Sequence, residues 1–182
     1  MDTINTPDFQ TRRAAGLRYE QMTERWLLQT GYSVVPTYAI GADPAGISAC
    51  APSLLMASGN AILPDMLVSR DGISRWVEIK HFHSPAENRK YGCKTHGTLA
   101  RYLTAYQRVQ QSTGIPVLVV IIESPDGESG QVLRVSLDAI FANQMPCQCT
   151  GCARGYPCHG TQIYWRRSIM QLVGRIKKGE IE

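Results

Sequence analysis

The chain has 182 residues, 43% of them hydrophobic, 19% charged and 8% aromatic, which suits one core and falls short of two full domains. No apolar run approaches the ~20 residues that span a bilayer, and the polar opening MDTINTPDFQTRRAAG lacks the apolar stretch of a signal peptide, so a single cytoplasmic domain over 1–182 with no membrane partner is expected. A net charge of +4 permits a polyanionic partner without demanding one.

Pro7 and Asp8 open a helix that runs to about Thr30 and stops at Gly31. Tyr19, Met22 and Trp26 share one of its faces. Leu17, Leu27 and Leu28 share a second with Glu20 and Glu24, so at least one carboxylate there is expected to meet something polar or cationic. Tyr32 to Tyr38 reads as a strand, with Pro36 pointing to an edge or to a bulge near its end. Residues 39 to 60, rich in Gly, Ala, Ser and Pro, read as a long loop. The runs 61–69 and 73–80, joined at Arg70-Asp71-Gly72, form a hairpin.

Residues 81 to 95 read as a basic, His-containing loop and Leu99 to Gln111 as a second helix ended by Gly114. The continuous apolar run 116–123 is a strand covered on both faces. After the turn PDGESG come the strand QVLRVS and a short helix from about Leu137 to Asn143. A cysteine-rich loop over 145–160, the strand QIYWR and a basic amphipathic helical tail from Ser168 complete the chain. The fold class is α/β: a central mixed sheet flanked by helices, with a small Cys-rich metal-binding insertion.

Alternation along the second hairpin strand turns Glu78 and Lys80 to one face and Ile79 to the other. A turn at 70–73 sets Asp65, on the first strand, across from Glu78. Two carboxylates and an ammonium then converge, which suits a hard divalent cation that takes oxygen ligands and keeps waters. Such a cation, Mg²⁺ or Mn²⁺, would serve phosphate chemistry, with Lys80 orienting a water and Glu20 completing the site directly or through water. An ordinary surface salt bridge is the alternative. The apolar strands on either side and the preceding helix carboxylate favour the site.

The stretch ILPDMLV, then twelve residues, then Glu78-Ile79-Lys80 resembles the PD-(D/E)XK nuclease superfamily. Gly16-Leu-Arg-Tyr-Glu20 followed by WLLQTGYSVV is similar to the opening of the archaeal Holliday-junction resolvases within it. The resemblance covers roughly residues 16 to 123. It implies a restriction-endonuclease-like core, Asp65 and Glu78 as metal ligands with the carbonyl of Ile79, Lys80 as the catalytic lysine and Glu20 as the helix carboxylate. Glu24 takes that last role if the helix is rotated. It also implies a homodimer facing branched DNA. The loop 39–60, the basic loop 81–95 and the cysteine segment depart from the resolvase pattern.

Cys147, Cys149, Cys152 and Cys158 lie within twelve residues, whereas Cys50 and Cys93 stand alone. Four thiolates in one Gly/Pro-bearing loop suit a structural Zn²⁺. Cys149, Cys152 and Cys158 also resemble the spacing of the 4Fe-4S staple of RecB-like and Cas4-like nucleases, with Cys50 or Cys93 as the distant fourth ligand. Cys147 supplies a local fourth ligand, so zinc is preferred. His81, His83, Arg89, Lys90, Lys94 and Arg101 follow the carboxylate site closely and are candidate phosphate contacts. The expected function is a divalent-metal-dependent DNA endonuclease. Its alternatives are a RecB/Cas4-like exonuclease with an iron–sulfur cluster and a non-cleaving DNA-binding module on the same fold.

Overall fold

The computed structural model describes residues 9–37, 53–54, 56, 59–89, 91–127, 129–145 and 162–177, with side chains described from Gly16 onward. Three helices, α1 (Phe9–Gln29), α2 (Ala100–Thr113) and α3 (Leu137–Ala142), accompany eleven strands. Six of these form the main sheet, in the order β1 (Ser33–Pro36), β4 (Met66–Arg70), β5 (Ile73–Phe82), β8 (Val117–Glu123), β9 (Ser129–Ser136) and β11 (Gln171–Lys177). The pairing β5–β8 is parallel and its neighbours are antiparallel, so the sheet is mixed, as expected.

Both faces of the sheet are covered. On one, Tyr19 and Leu27 of α1 pack over Met66, Val68, Val77, Ile79, Val120 and Ile122. On the other, Leu103 and Val109 of α2 and Ile140 of α3 pack over Trp76, Val119 and Ile121. This two-sided burial accounts for the unbroken apolar sequence of β8, which lies in the middle of the sheet. Helix α1 buries Tyr19, Thr23 and Leu27, one residue every four, and leaves Leu17 and Leu28 exposed. The second sequence stripe is therefore buried at Leu27 alone among its leucines. The hairpin β4–β5 turns at Asp71 and Gly72, both with positive φ (53° and 75°), the turn geometry that matches the strand twist and that Asp-Gly tolerates.

Three expectations are corrected. The run 61–69 is not one strand: β3 (Ala61–Ile62) pairs with β2 (Ser53–Leu54) in a separate ribbon, and β4 starts only at Met66. Asp65 thus precedes its strand instead of lying within it. Residues 81–95 are largely strand: β5 continues to Phe82, and β6 (Ala86–Asn88) and β7 (Cys93–Leu99) form a hairpin. The strand expected at QIYWR is present as β10 (Gln162–Arg166), and it joins that hairpin in a second sheet, β10-β7-β6. Finally, the described part of the basic C-terminal segment is no helix: 171–177 is the edge strand β11, paired with β9. The expected cysteine loop lies outside the described residues apart from Met145, which bridges to Tyr164.

Candidate active site

The site forms where β4 and β5 part. Their pairing ends at Met66 opposite Val77, and one pleat further along β5 the N–H of Ile79 points toward β4 with no strand residue to receive it. The carboxylate of Asp65 takes that place: its Oδ2 accepts from the Ile79 N–H at 2.7 Å. In a strand the N–H and C=O of one residue face the same side, so the Ile79 carbonyl also looks toward Asp65. The backbone at Asp65 is fixed from the far side by Thr37, which is buried. Its hydroxyl donates to the carbonyls of Pro64 (2.7 Å) and Asp65 (3.0 Å), and its N–H donates to the Asp65 carbonyl at 2.9 Å.

On β5, Glu78 is buried and Lys80 half-buried, and the two side chains share a face, as alternation requires. The Lys80 ammonium donates to Glu78 Oε1. Glu78 Oε2 is buried without a hydrogen-bond partner. Glu20 of α1 stands close enough for its charge to act on both Asp65 and Lys80. Burial lifts the Asp65 pKa well above the usual carboxylate range, and the charges of Glu78 and Glu20 add to it, while Lys80 and the Ile79 N–H pull the other way and lose. Burial works to lower the Lys80 pKa, but the carboxylates of Glu78 and Asp65 overcome it and raise it, so the lysine stays charged.

Burial and the crowding of three carboxyl groups around one ammonium raise the Asp65 pKa, and one carboxylate oxygen of Glu78 is buried and unpartnered. Both observations fit a hard cation held between Asp65, Glu78 and the Ile79 carbonyl, with Glu20 at its edge.

Helix α2 supplies two residues to this face that the sequence reading did not assign to the site. Tyr106 is buried, and its hydroxyl pKa is pushed far up, first by burial and then by the neighbouring Glu78 carboxylate. Tyr102 presents its ring to two cations, Lys80 (Nζ 5.9 Å from the centroid) and Arg101 (5.0 Å). The helical spacing of Tyr102 and Tyr106 was the available signal, since residues four apart share a face.

The candidate phosphate contacts divide. His81 falls on the opposite face of β5 from Lys80, stacked on Tyr19 with ring centroids 3.7 Å apart, and its Nε2 is buried without a partner. Burial, then the nearby His83, lowers its pKa. His83, Arg89, Lys94 and Arg101 are exposed. Lys90, together with Cys147, Cys149, Cys152 and Cys158, lies outside the described residues. Among the described residues no group of three or more His, Cys, Asp and Glu is arranged to hold a metal ion.

A second buried polar cluster joins the two sheets. His96 of β7, which is buried, bonds through Nε2 to Glu123 Oε1 of β8 at 2.7 Å. Arg167, in the single 3-10 turn after β10, donates to both oxygens of Glu123 at 2.6 and 2.8 Å, and to Gln131 at 3.0 Å. Burial lowers the His96 pKa and outweighs the pull of Glu123; its Nδ1 has no partner, so the neutral ring that donates from Nε2 fits.

No family model and no curated protein matches the chain. Among solved structures, the chain is similar to Archaeoglobus fulgidus Hjc, a Holliday junction resolvase from an archaeal hyperthermophile, with a TM-score of 0.51 at 10% identity over 87% of this chain and 91% of that one. The fold expected from the sequence resemblance, that of an archaeal resolvase, is therefore the fold the chain shares. Among the described residues no helix is long and apolar enough to cross a membrane.

Proposed function

We propose that the protein is a divalent-metal-dependent DNA endonuclease that hydrolyses phosphodiester bonds in branched DNA. The observation that carries this reading is the meeting of Glu20, Asp65, Glu78 and Lys80 where β4 and β5 diverge, with a buried and unpartnered oxygen on Glu78. The resolvase-like fold supports the branched substrate and a homodimeric assembly, and the exposed cations Arg89, Lys94 and Arg101 support a polyanion.

When bound by Asp65, Glu78 and the Ile79 carbonyl, Mg²⁺ or Mn²⁺ would supply a Lewis acid for the scissile phosphate and an activated water. The chain's own groups do the rest. Asp65 is locked in orientation by the Ile79 N–H and by Thr37 behind its backbone. Lys80, held charged by Glu78, acts as a donor, orienting the attacking water and countering the charge that builds on the phosphate oxygens. Glu20 completes the site directly or through a water. Tyr106 keeps its proton and stands against Glu78 as a neutral neighbour. A structural zinc at Cys147, Cys149, Cys152 and Cys158 and a cytoplasmic setting belong to the same proposal.

The test is cleavage of labelled duplex, single-stranded, flapped and four-way-junction DNA with Mg²⁺, Mn²⁺ or EDTA, for wild type beside Lys80→Ala. Metal-dependent, symmetric nicks at the junction that the variant lacks are expected. Shortening from the ends would replace the endonuclease with an exonuclease. Binding without cutting of any substrate would refute the enzymatic reading.

A further inference from the structure

The hairpin β6–β7 projects from the point where the proposed nuclease site ends. It leaves β5 two residues after Lys80 and returns into α2, which carries Tyr102 and Tyr106. Its pairing is short and regular, with Ala86 opposite Thr95 and Asn88 opposite Cys93. The tip is closed by the Tyr91 N–H, which donates to the Asn88 carbonyl at 3.2 Å and to its side-chain oxygen at 3.3 Å. At that tip Tyr91 is 38% exposed. Arg89 and Lys94 flank it, both exposed; Glu87, opposite Lys94, is the acidic residue on the ribbon, which remains net positive with Arg89.

The arm is also held firmly at its base. Strand β7 pairs with β10 along five residues, Trp165 of β10 is fully buried, and His96 ties β7 through Glu123 and Arg167 to the main sheet. Gly97 lets the two strands close up, because a Cβ there would stand 2.5 Å from Cδ1 of Tyr164. A fixed ribbon with an aromatic tip between cations has the chemistry of a nucleic-acid probe: cations for phosphates and a ring for a base face. Arg89 lies nine positions after Lys80, so it stands within about 32 Å of the lysine even if the chain were straight.

We infer that the β6–β7 hairpin is a recognition arm whose Tyr91 stacks on a base left unstacked at a branch in DNA, while Arg89 and Lys94 hold the adjoining phosphates. The inference rests on the nuclease reading and adds the device that distinguishes branched from continuous duplex. An intact duplex offers the arm phosphates and no open base face, so Tyr91 contributes at a fork or branch alone.

The experiment compares binding of wild type, Tyr91→Ala, Tyr91→Trp and the double variant Arg89→Ala/Lys94→Ala to a forked DNA and its matched duplex, in EDTA so that no bond is cut. The fork carries 2-aminopurine at its first unpaired position. Tyr91→Ala is expected to weaken fork binding roughly fivefold or more, to leave duplex binding within about twofold, and to abolish the quenching of 2-aminopurine, all of which Tyr91→Trp restores. The double variant is expected to weaken both substrates and lower the salt dependence. Unchanged fork preference in Tyr91→Ala, or equal weakening on fork and duplex, overturns the arm and leaves the nuclease reading standing. Wild type that binds neither DNA refutes the nuclease reading, and the arm with it.

Discussion

Replacing Arg167 with alanine removes the cation that pairs with a carboxylate only 8% exposed. Three hydrogen bonds go, two to Glu123 at 2.6 and 2.8 Å and one to Gln131 at 3.0 Å. Hydrogen bonds to charged groups contribute about 1.5–3 kcal/mol each, but Arg167 is itself 32% exposed, and water takes up part of its place in the variant. What remains is Glu123 held by the His96 N–H alone, so the expected loss is about 2–3 kcal/mol at pH 7. For a chain of this length that lowers Tm by about 5–10 °C.

Acid should erase the difference. Burial would raise the Glu123 pKa, but the hydrogen bonds from Arg167 and His96 overcome it and hold it below the ordinary 4.5. A depressed carboxylate pKa gives stability that is present above 4.5 and lost as pH falls through the folded value, and in the variant most of that contribution is already gone. Removing Arg167 also lifts a charge that opposes protonation of His96, which narrows the gap further. Urea unfolding of both proteins from pH 7 to pH 3 checks this. A loss below about 0.5 kcal/mol at pH 7, or one that stays constant down to pH 3, would mean that the arginine contributes through the packing of its stem and the ion-pair reasoning is wrong.

In the proposed active site, Lys80→Ala and Asp65→Asn are each expected to cut DNA cleavage by about 100-fold or more while DNA binding stays within a few-fold, measured on folded protein by circular dichroism and gel shift. Thr37→Val removes the 2.7 and 3.0 Å bonds that fix the backbone at Asp65; about 1 kcal/mol of stability should go, and kcat should fall with KM for DNA unchanged. Gly97→Ala sets a methyl 2.5 Å from the Tyr164 ring and should cost about 1–3 kcal/mol in thermal denaturation, part of which Tyr164→Ala in the same chain should restore. Wild-type stability should itself decline as pH falls from 6.5, because burial keeps the His96 pKa below that value and its neutral form is the one the fold accommodates.

The elements legible in the sequence are those whose signal is local. Gly31 and Gly114 end α1 and α2, both with positive φ, and Asp71-Gly72 makes the hairpin turn. The unbroken VLVVIIE run of β8 reflects its central, doubly covered position. In the candidate site, Asp65, Glu78 and Lys80 could be placed together because one hairpin register relates them. What the sequence hid depends on distant partners. Ala86–Asn88 and the CKTHGTL segment contain few β-formers, and they become strands because β10, some sixty residues on, pairs with β7. The basic segment 171–177 carries enough charge to suggest a solvated helix, but β9 offers it an open edge. Thr37 was invisible as a site residue because it carries no charge that a motif would flag, and Tyr106 was signalled only by its helical spacing from Tyr102.

The last described stretch of chain, 162–177, closes two sheets in succession: β10 completes the arm, a single 3-10 turn bearing Arg167 crosses over, and β11 takes the final edge of the core. The strand β5, which carries Glu78 and Lys80, ends at Phe82, roughly the midpoint of the given sequence. During synthesis at ~5–20 residues per second, the strands that frame the site would thus leave the ribosome seconds before the segment that ties arm to core. A chain halted between the two would own the carboxylates and the lysine and lack the ion pair that sets the arm. The joining of the arm to the core is therefore a single late event in time, made by sixteen residues acting on both sheets at once.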